Sequence, residues 1–463
     1  MCTVHLNEHF NYRKLLRITL APILMLVFTS IYSIVDGTFI ANFAGKNAYA
    51  GVNLIWPITM IIGGIGFMLG AGGSALVSKY LGQQRKERAS QVFSMVVIFT
   101  VIIGVITSFS LTFAIRPIAY AMSTLSDNVT EETIQEAIVY GRILMAGQFI
   151  FILQNVFQSF FMVAEKPRLG FIFTLAAGLT NMALDALFVA AFQWGVVGAA
   201  VATVVSYSVG GFGALIYFIV KRDSLIVLSW TKLEFKPLAK ACTNGFSEFI
   251  SNISAAVVST VYNIQLLKYL GEDGVAAYGT LMYLGFIFVA IFLGYASGIA
   301  PAIAYNYGAK NHREMRNILV KSLFIVLIIG IFMVLISGIT APYLAKLFSS
   351  GDTALWELST HAMRIYALSF ILCGFSIFLS SFFTALNNGL VSGLISAIRT
   401  LVLSIGCVLL LPLAFGPDGI WMSIDFSELG SFILCFAFLL GLRKRYGYDK
   451  ATAGREPPSL INE

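Results

Sequence analysis

The sequence predicts an all-α membrane protein, with twelve transmembrane helices in two pseudosymmetric six-helix bundles. Three observations predict it: a composition that water cannot carry, twelve long apolar runs, and an internal repeat. Of 463 residues, 58% are hydrophobic and 11% charged, against about 25% charged in soluble domains. So apolar a chain cannot cover its own surface in water. Lipid leaves no partner for unpaired backbone N–H and C=O groups, so long apolar runs must be helices.

A bilayer core is crossed by about 20 apolar residues. Runs of that length fall at 15–41, 48–78, 92–115, 134–163, 168–191, 196–220, 239–267, 275–304, 318–341, 361–386, 390–415 and 419–442. Several exceed the minimum, which implies tilt or extension into the interface. Residues 1–14 are polar and the first run is long enough to span, so no cleavable leader is predicted. Cys2, Cys242, Cys373, Cys407 and Cys435 form no CxxC pair, and they read as small packing residues. The sequon Asn128-Val129-Thr130 fits a surface loop.

Lys and Arg accumulate on the cytoplasmic side of membrane proteins. Here they alternate between loops. Arg13, Lys14 and Arg17 precede the first run. Lys79, Arg85, Lys86, Arg88, Lys166 and Arg168 follow even-numbered runs, as do Lys221, Arg222, Lys232, Lys236 and Lys240. Lys310, Arg313, Arg316 and Lys321 continue the pattern, and Arg443, Lys444, Arg445, Lys450 and Arg455 close it. The other side holds only Lys46, Arg116, Arg142, Lys268, Lys346 and Arg364. This predicts a multi-pass plasma-membrane protein with both termini cytoplasmic. The formal charge of +7 is spread over short loops, which gives no stripe for nucleic acid.

The halves repeat. Gly45-Lys46-Asn47-Ala48-Tyr49-Ala50 and Gly271-Glu272-Asp273-Gly274-Val275-Ala276 are 226 residues apart, as are Gly72 and Gly298, and Gly82 and Gly308. Phe160-Phe161 and Phe382-Phe383 are 222 apart, while Gly198 and Gly419, and Ser206 and Ser427, are 221 apart. Each half starts and ends on the same side, so the repeat is parallel, its axis lies along the membrane normal, and a cavity is expected between the halves. The expected organisation is a bundle at 1–220, a cytoplasmic linker at 221–238, a second bundle at 239–445 and a tail at 446–463.

Charges inside apolar spans are costly, about 2.5 kcal/mol or more each near the bilayer centre. The acids so placed are Asp36, Asp185, Glu248, Asp425 and Glu428, and the one deep cation is Arg399. Asn181 shares a helix face with Asp185, and Thr203 lies in the next span. Two close carboxylates with an amide and a hydroxyl can take a proton or Na⁺. The alternative is a set of polar contacts between helices. Gln148, Gln154, Asn155 and Gln158 sit in the fourth span, lining a polar cavity or bonding between helices. Pro22 and Pro57 lie inside spans and can bend them. Phenylalanines (39) and methionines (14) pack or face lipid for the most part, and a few near the midline would make an adaptable pocket for varied ligands.

No GxxxxGK[ST] motif occurs, so ATP is not the evident energy source. His5, His9, His312 and His361 lie in the N-terminal tail, in loops or at a span end, away from the acids, which weakens an intramembrane enzyme. A passive channel explains neither the parallel repeat nor the buried carboxylates as well as a carrier does. The reading is therefore a secondary-active exporter of small amphipathic molecules, with no cofactor beyond a coupling ion, H⁺ or Na⁺, and with lipid and small molecules as its partners.

Residues 28–37 (FTSIYSIVDG), Gly72-Gly73-Ser74-Ala75, Asn181-Met182-Ala183-Leu184-Asp185 and Gly195-Val196-Val197-Gly198-Ala199-Ala200 together resemble the multidrug and toxic compound extrusion (MATE) family, its bacterial DinF-like and MepA-type branch in particular. The resemblance covers about residues 10–445. It implies a V-shaped pair of six-helix lobes and antiport of drugs against a cation by a protein that works as a monomer. It implies that Asp36, Asn181, Asp185 and Thr203 form the ion-coupling network of the N-terminal lobe, and that the first helix bends at a hinge near Pro22. Glu248 resembles an acidic position of the NorM-like branch and, with Gln148, Gln154 and Gln158, is assigned to the substrate cavity. Asp425 and Glu428 match no family position. The runner-up is a flippase for lipid-linked saccharides of related fold, which would favour a basic cavity.

Overall fold

The computed structural model describes residues 5–124, 129–221, 224–349 and 352–449. Cys2, Asn128 of the sequon, Arg222 of the linker and residues 450–463 of the tail lie outside them. Every apolar run is a helix. The first six are Tyr12–Ala44, Lys46–Gly82, Lys86–Ser123, Glu131–Val163, Pro167–Ala191 and Gly195–Val220. Next comes Phe235–Gly308, continuous by hydrogen bonding. At 1.5 Å per residue, 74 residues would run about 111 Å, far beyond any bilayer. Gly271 breaks it with a left-handed φ of 64°, giving the seventh span (235–270) and the eighth (272–308). The ninth is His312–Phe348. The tenth is Thr353–Ala367 with Ser369–Ala385, bent by 46°. Gly389–Phe415 and Asp418–Gly441 complete twelve among the described residues, counting the two parts of the helix broken at Gly271.

The helices outrun their apolar cores because side chains cap them. Asn11 accepts from the Lys14 amide, Thr130 from Thr133, Asn311 from Glu314 and Asp352 from Ala354 and Leu355, each satisfying free N–H groups of a first turn. The repeat is visible in the turns. Left-handed residues occur at Gly45 and Gly271, 226 apart; at Gln84 and Lys310, 226 apart; at Glu165 and Asn387, 222 apart; and at Gly195 and Gly416, 221 apart. These are the offsets of the sequence repeat, so both halves turn at equivalent points.

The halves also meet at repeated glycines. Gly72 of the second span lies against the Ala241 carbonyl and Gly245 of the seventh, where a Cβ would collide with backbone. Its repeat partner Gly298, in the eighth span, abuts the Pro22 ring and Thr19 of the first. Gly82 and Gly308 face each other across the axis, each against the other helix's backbone at Tyr305 and Lys79. The repeated glycines are thus the seam itself. The seam closes the face on which Lys79, Gly82, Tyr305 and Gly308 lie, hereafter the basic face. On the opposite face Tyr49 and Tyr283 come within hydrogen-bonding reach.

Candidate functional site

Two acids meet in the N-terminal half. The Asp36 and Asp185 carboxyls lie within hydrogen-bonding reach of each other. Asp185 is fully buried and Asn181, one turn earlier, nearly so. Both Asp185 oxygens, Asp36 Oδ1 and Asn181 Oδ1 are buried without a donor. An ionised carboxylate only accepts, so two in contact need a proton between them, whereas a protonated one donates. The site therefore has the chemistry to hold one cation: a shared proton, or a metal ion touching the same oxygens. Among the described residues, no three His, Cys, Asp or Glu side chains converge on a metal position.

Local structure brings the two acids together. The first span changes from α-helix to π-helix at Ile40–Ala44, one turn past Asp36, and the fifth changes at Ala186–Ala191, immediately after Asp185. Such segments widen the helix and recur at functional sites. Gly178 lets the Phe28 and Tyr32 rings approach the fifth span. The Thr203 hydroxyl donates to Ala199 of its own turn at 2.9 Å, which leaves its lone pairs free. Tyr32, Tyr140 and Tyr207, all buried, surround the acids closely enough to interact with their charge. Sequence reasoning missed these tyrosines. In a chain with 19 of them, no spacing singles these three out.

The three glutamines bind the fourth span to its neighbours. Gln148 Nε2 donates to the Thr59 carbonyl at 3.4 Å, Gln154 packs on Gly210, and Gln158 Nε2 donates to Thr174 Oγ1 at 3.1 Å. Their partners are the second, sixth and fifth spans. Glu248 lies elsewhere, half-buried in the seventh span and within range of the Arg399 charge of the eleventh. Pro22 is buried at the seam against Gly294 and Gly298. It lies 14 residues, or about 21 Å of helix, from Asp36.

A second polar cluster lies in the C-terminal half. Arg399 holds Glu428 through Nε–Oε1 at 2.9 Å and Nη2–Oε1 at 2.7 Å, and its Nη2 also donates to Cys373 Sγ at 3.3 Å. Arg399 sits in another π-segment, Ile398–Leu403, and its carbonyl accepts from Ser404 at 3.0 Å. Asp425, one turn before Glu428, lies near Ser369 at the break in the tenth span, with its Oδ1 buried and without a donor. The signal available in the sequence was a lone deep Arg, which must find an acid. Five acids were on offer, and nothing local chose among them.

Twelve spanning helices, two halves related by a parallel repeat, and a buried acid pair define a polytopic membrane transporter. The MatE family pattern matches residues 22–187 and 249–409, and the chain belongs to that family. The multidrug export protein MepA of Staphylococcus saprophyticus is 26% identical over 422 residues, covering 91% of this chain and 92% of its own. The MepA of Staphylococcus aureus (strain MRSA252) is 22% identical over 439 residues, covering 95% of each. Among solved structures, a multidrug resistance MATE family transporter of the MOP superfamily in the outward-facing conformation superposes with a TM-score of 0.86, at 24% identity over 93% of this chain and 95% of its own. A MATE protein in the bent conformation gives a TM-score of 0.84, at 23% identity over 95% and 96%. They share the predicted fold.

Proposed function

We propose that the chain is a multidrug exporter that expels small amphipathic, cationic molecules in exchange for H⁺ or Na⁺ by alternating access. It works as a monomer in the plasma membrane, with the basic face and both termini in the cytoplasm. Residues 1–220 and 239–445 are its two moving units, and 221–238 is the linker. The observation that carries this is the contact between Asp36 and Asp185, with three carboxylate oxygens that lack a donor. Such a pair is unstable when both are ionised and is relieved by one cation. If relief favours one orientation of the halves, ion entry drives the switch; equal affinity for both would shift nothing. Asn181 and Thr203 supply further oxygens, and Pro22 stands where the first span meets the other half.

Glu248 is assigned to the substrate cation, with Gln148, Gln154 and Gln158 shaping the cavity wall from the fourth span. The flippase reading needs a cation free to meet pyrophosphate, and the deep Arg399 is already held by Glu428. The relatives named as multidrug export proteins support the same choice. The deciding experiment is dye efflux from proteoliposomes under a proton gradient and, separately, a sodium gradient. Uphill export under one of them is expected. Downhill movement only, under either, would turn the reading to a channel.

A further inference from the structure

Residues 5–10 lie ahead of the first span and make the same contact twice. His5 Nδ1 donates to Glu165 Oε2 at 2.6 Å, and the next backbone N–H, of Leu6, donates to Glu165 Oε1 at 2.6 Å. His9 Nδ1 donates to Glu314 Oε2 at 2.7 Å, and the next N–H, of Phe10, donates to Glu314 Oε1 at 2.8 Å. The apolar residue after each histidine is sealed in: Leu6 is 1% exposed and Phe10 0%. The Phe10 carbonyl in turn accepts from Asn317 Nδ2 at 2.9 Å and Lys321 Nζ at 2.8 Å. Both carboxylates are about one-tenth exposed, while both histidines are mostly open to water. Each glutamate is thus a built receptor, occupied by two donors of one short segment.

Glu165 lies between the fourth and fifth spans of the N-terminal half. Glu314 opens the ninth span, in the C-terminal half. The segment therefore bridges the two halves on the basic face, over the glycine seam. A second contact lies at an equivalent place: Arg88 Nη1 and Nη2 hold Glu234, at the end of the linker just ahead of the seventh span, at 2.7 and 2.6 Å, and positions 88 and 314 are 226 apart. The four steps from Leu6 to Phe10 reach about 14 Å when fully extended. Opening this face separates Glu165 from Glu314, so the segment must either limit the movement or let go of one glutamate.

We propose that His5–Phe10 is a releasable strap that latches the basic face closed, with Glu165 and Glu314 as its two posts. This rests on the reading that the halves rock against each other. The latch responds to pH through His5. The hydrogen bond from Glu165, then its charge, raise the His5 pKa; burial opposes them, and Glu8 adds a smaller raising effect. Glu8 is itself paired with Lys14 at 2.6 Å. Of the other charges nearby, Lys166 is turned to the Tyr217 hydroxyl at 2.7 Å and Lys321 to the Phe10 carbonyl. A histidine whose pKa is raised by folding stabilises the contact fully below its unfolded value, about 6.5, and loses that contribution as pH rises through the raised value. The strap is tightest in mild acid, and it slackens as the medium on this face becomes alkaline.

Cys242, half-buried in the seventh span and packed against the apolar cluster of the N-terminal half, reports on the seam. Its alkylation by N-ethylmaleimide is measured on the purified full chain at pH 6 and pH 8.5. Rates are normalised to the unfolded chain at the same pH, with Cys242→Ser as background. Wild type is expected to react more slowly at pH 6 than at pH 8.5. Glu165→Gln and Glu314→Gln should each raise the pH 6 rate by roughly fivefold, the low end of conformational couplings, and flatten the pH dependence. If either destabilises the fold, His5→Asn, which keeps a polar side chain of similar reach but cannot become charged, should still lose the difference between the two pH values. Wild-type rates and wild-type pH dependence in the folded variants would overturn the proposal. The assay uses neither substrate nor gradient, so a failed efflux experiment and a failed latch remain distinguishable.

Discussion

The two halves share their turns but not their charge. Counting by the repeat, Asp36 of the N-terminal half falls on Tyr262, and Asp185 falls on Gly406 or Cys407. Tyr262 and Cys407 are indeed neighbours, and Tyr262 bonds Ser423 at 2.7 Å. So the C-terminal half has the same meeting of two helices with no acid in it. Its charges lie elsewhere. Glu248 is 14 residues before Tyr262 and Arg399 eight before Cys407, so both sit nearer the basic face. The N-terminal site is two acceptors without a donor, which calls for a cation. The C-terminal cluster carries its own cation, and Glu428 is already neutralised. The charge balance of the two halves is therefore opposite: one leaves its acids without a cation, and in the other Arg399 holds Glu428.

The comparison breaks most readily at the acid pair. Asp36→Asn and Asp185→Asn should each cut gradient-driven efflux by roughly 100-fold, the upper range of coupling between sites, while dye binding by fluorescence is kept. The double variant should be little worse than either single one, since contacting residues act as a unit. Wild-type efflux from both variants would make the pair structural. Next in size is Arg399→Met, which strands a buried carboxylate at a cost of about 3–5 kcal/mol. It should appear as a large drop in melting temperature that Arg399→Met with Glu428→Gln largely recovers. A double variant as unstable as the single would show that Arg399 does more than neutralise Glu428.

A smaller effect is expected at Glu248→Gln, about fivefold weaker export of cations with neutral compounds unchanged. Equal losses for both would move Glu248 from the substrate to coupling. The smallest effect sharpens the comparison most. Tyr262→Phe removes one hydrogen bond, worth about 1 kcal/mol, and should leave efflux unchanged. A coupling defect there would mean that the C-terminal meeting point is not idle.

The twelve spans were legible because lipid permits so few solutions, and every apolar run became helix, the tenth as a bent pair and the seventh and eighth as one helix broken at Gly271. Their ends were not. The third run reads 92–115 but the helix is Lys86–Ser123, and the ninth reads 318–341 but the helix is His312–Phe348. Hydropathy measures the bilayer, while a cap such as Asn311 sets where a helix begins. The break at Leu368 carries neither Gly nor Pro, and its N–H still bonds Ile365 of the preceding turn, so no local pattern could announce it. The same holds for the π-segments. Asp36 and Asp185 stood out because a buried acid is costly wherever it lies. The Arg399–Glu428 pair and the tyrosines around Asp36 depend on which helices touch, which a single sequence does not state. Gln148, Gln154 and Gln158 were legible as polar residues in a span, but not as two hydrogen bonds and one packing contact to three different helices.

The glycine seam has a thermodynamic consequence. Where Gly72 meets Gly245 and Gly82 meets Gly308, main chain lies on main chain, and glycine has no rotamers to freeze. Ordering a long side chain at an interface takes up to about 2 kcal/mol of entropy, and a seam built of such residues would resist closing. This one brings rigid rods together at almost no entropic penalty. On the proposed alternating-access reading, opening and closing this seam therefore orders and frees few side chains.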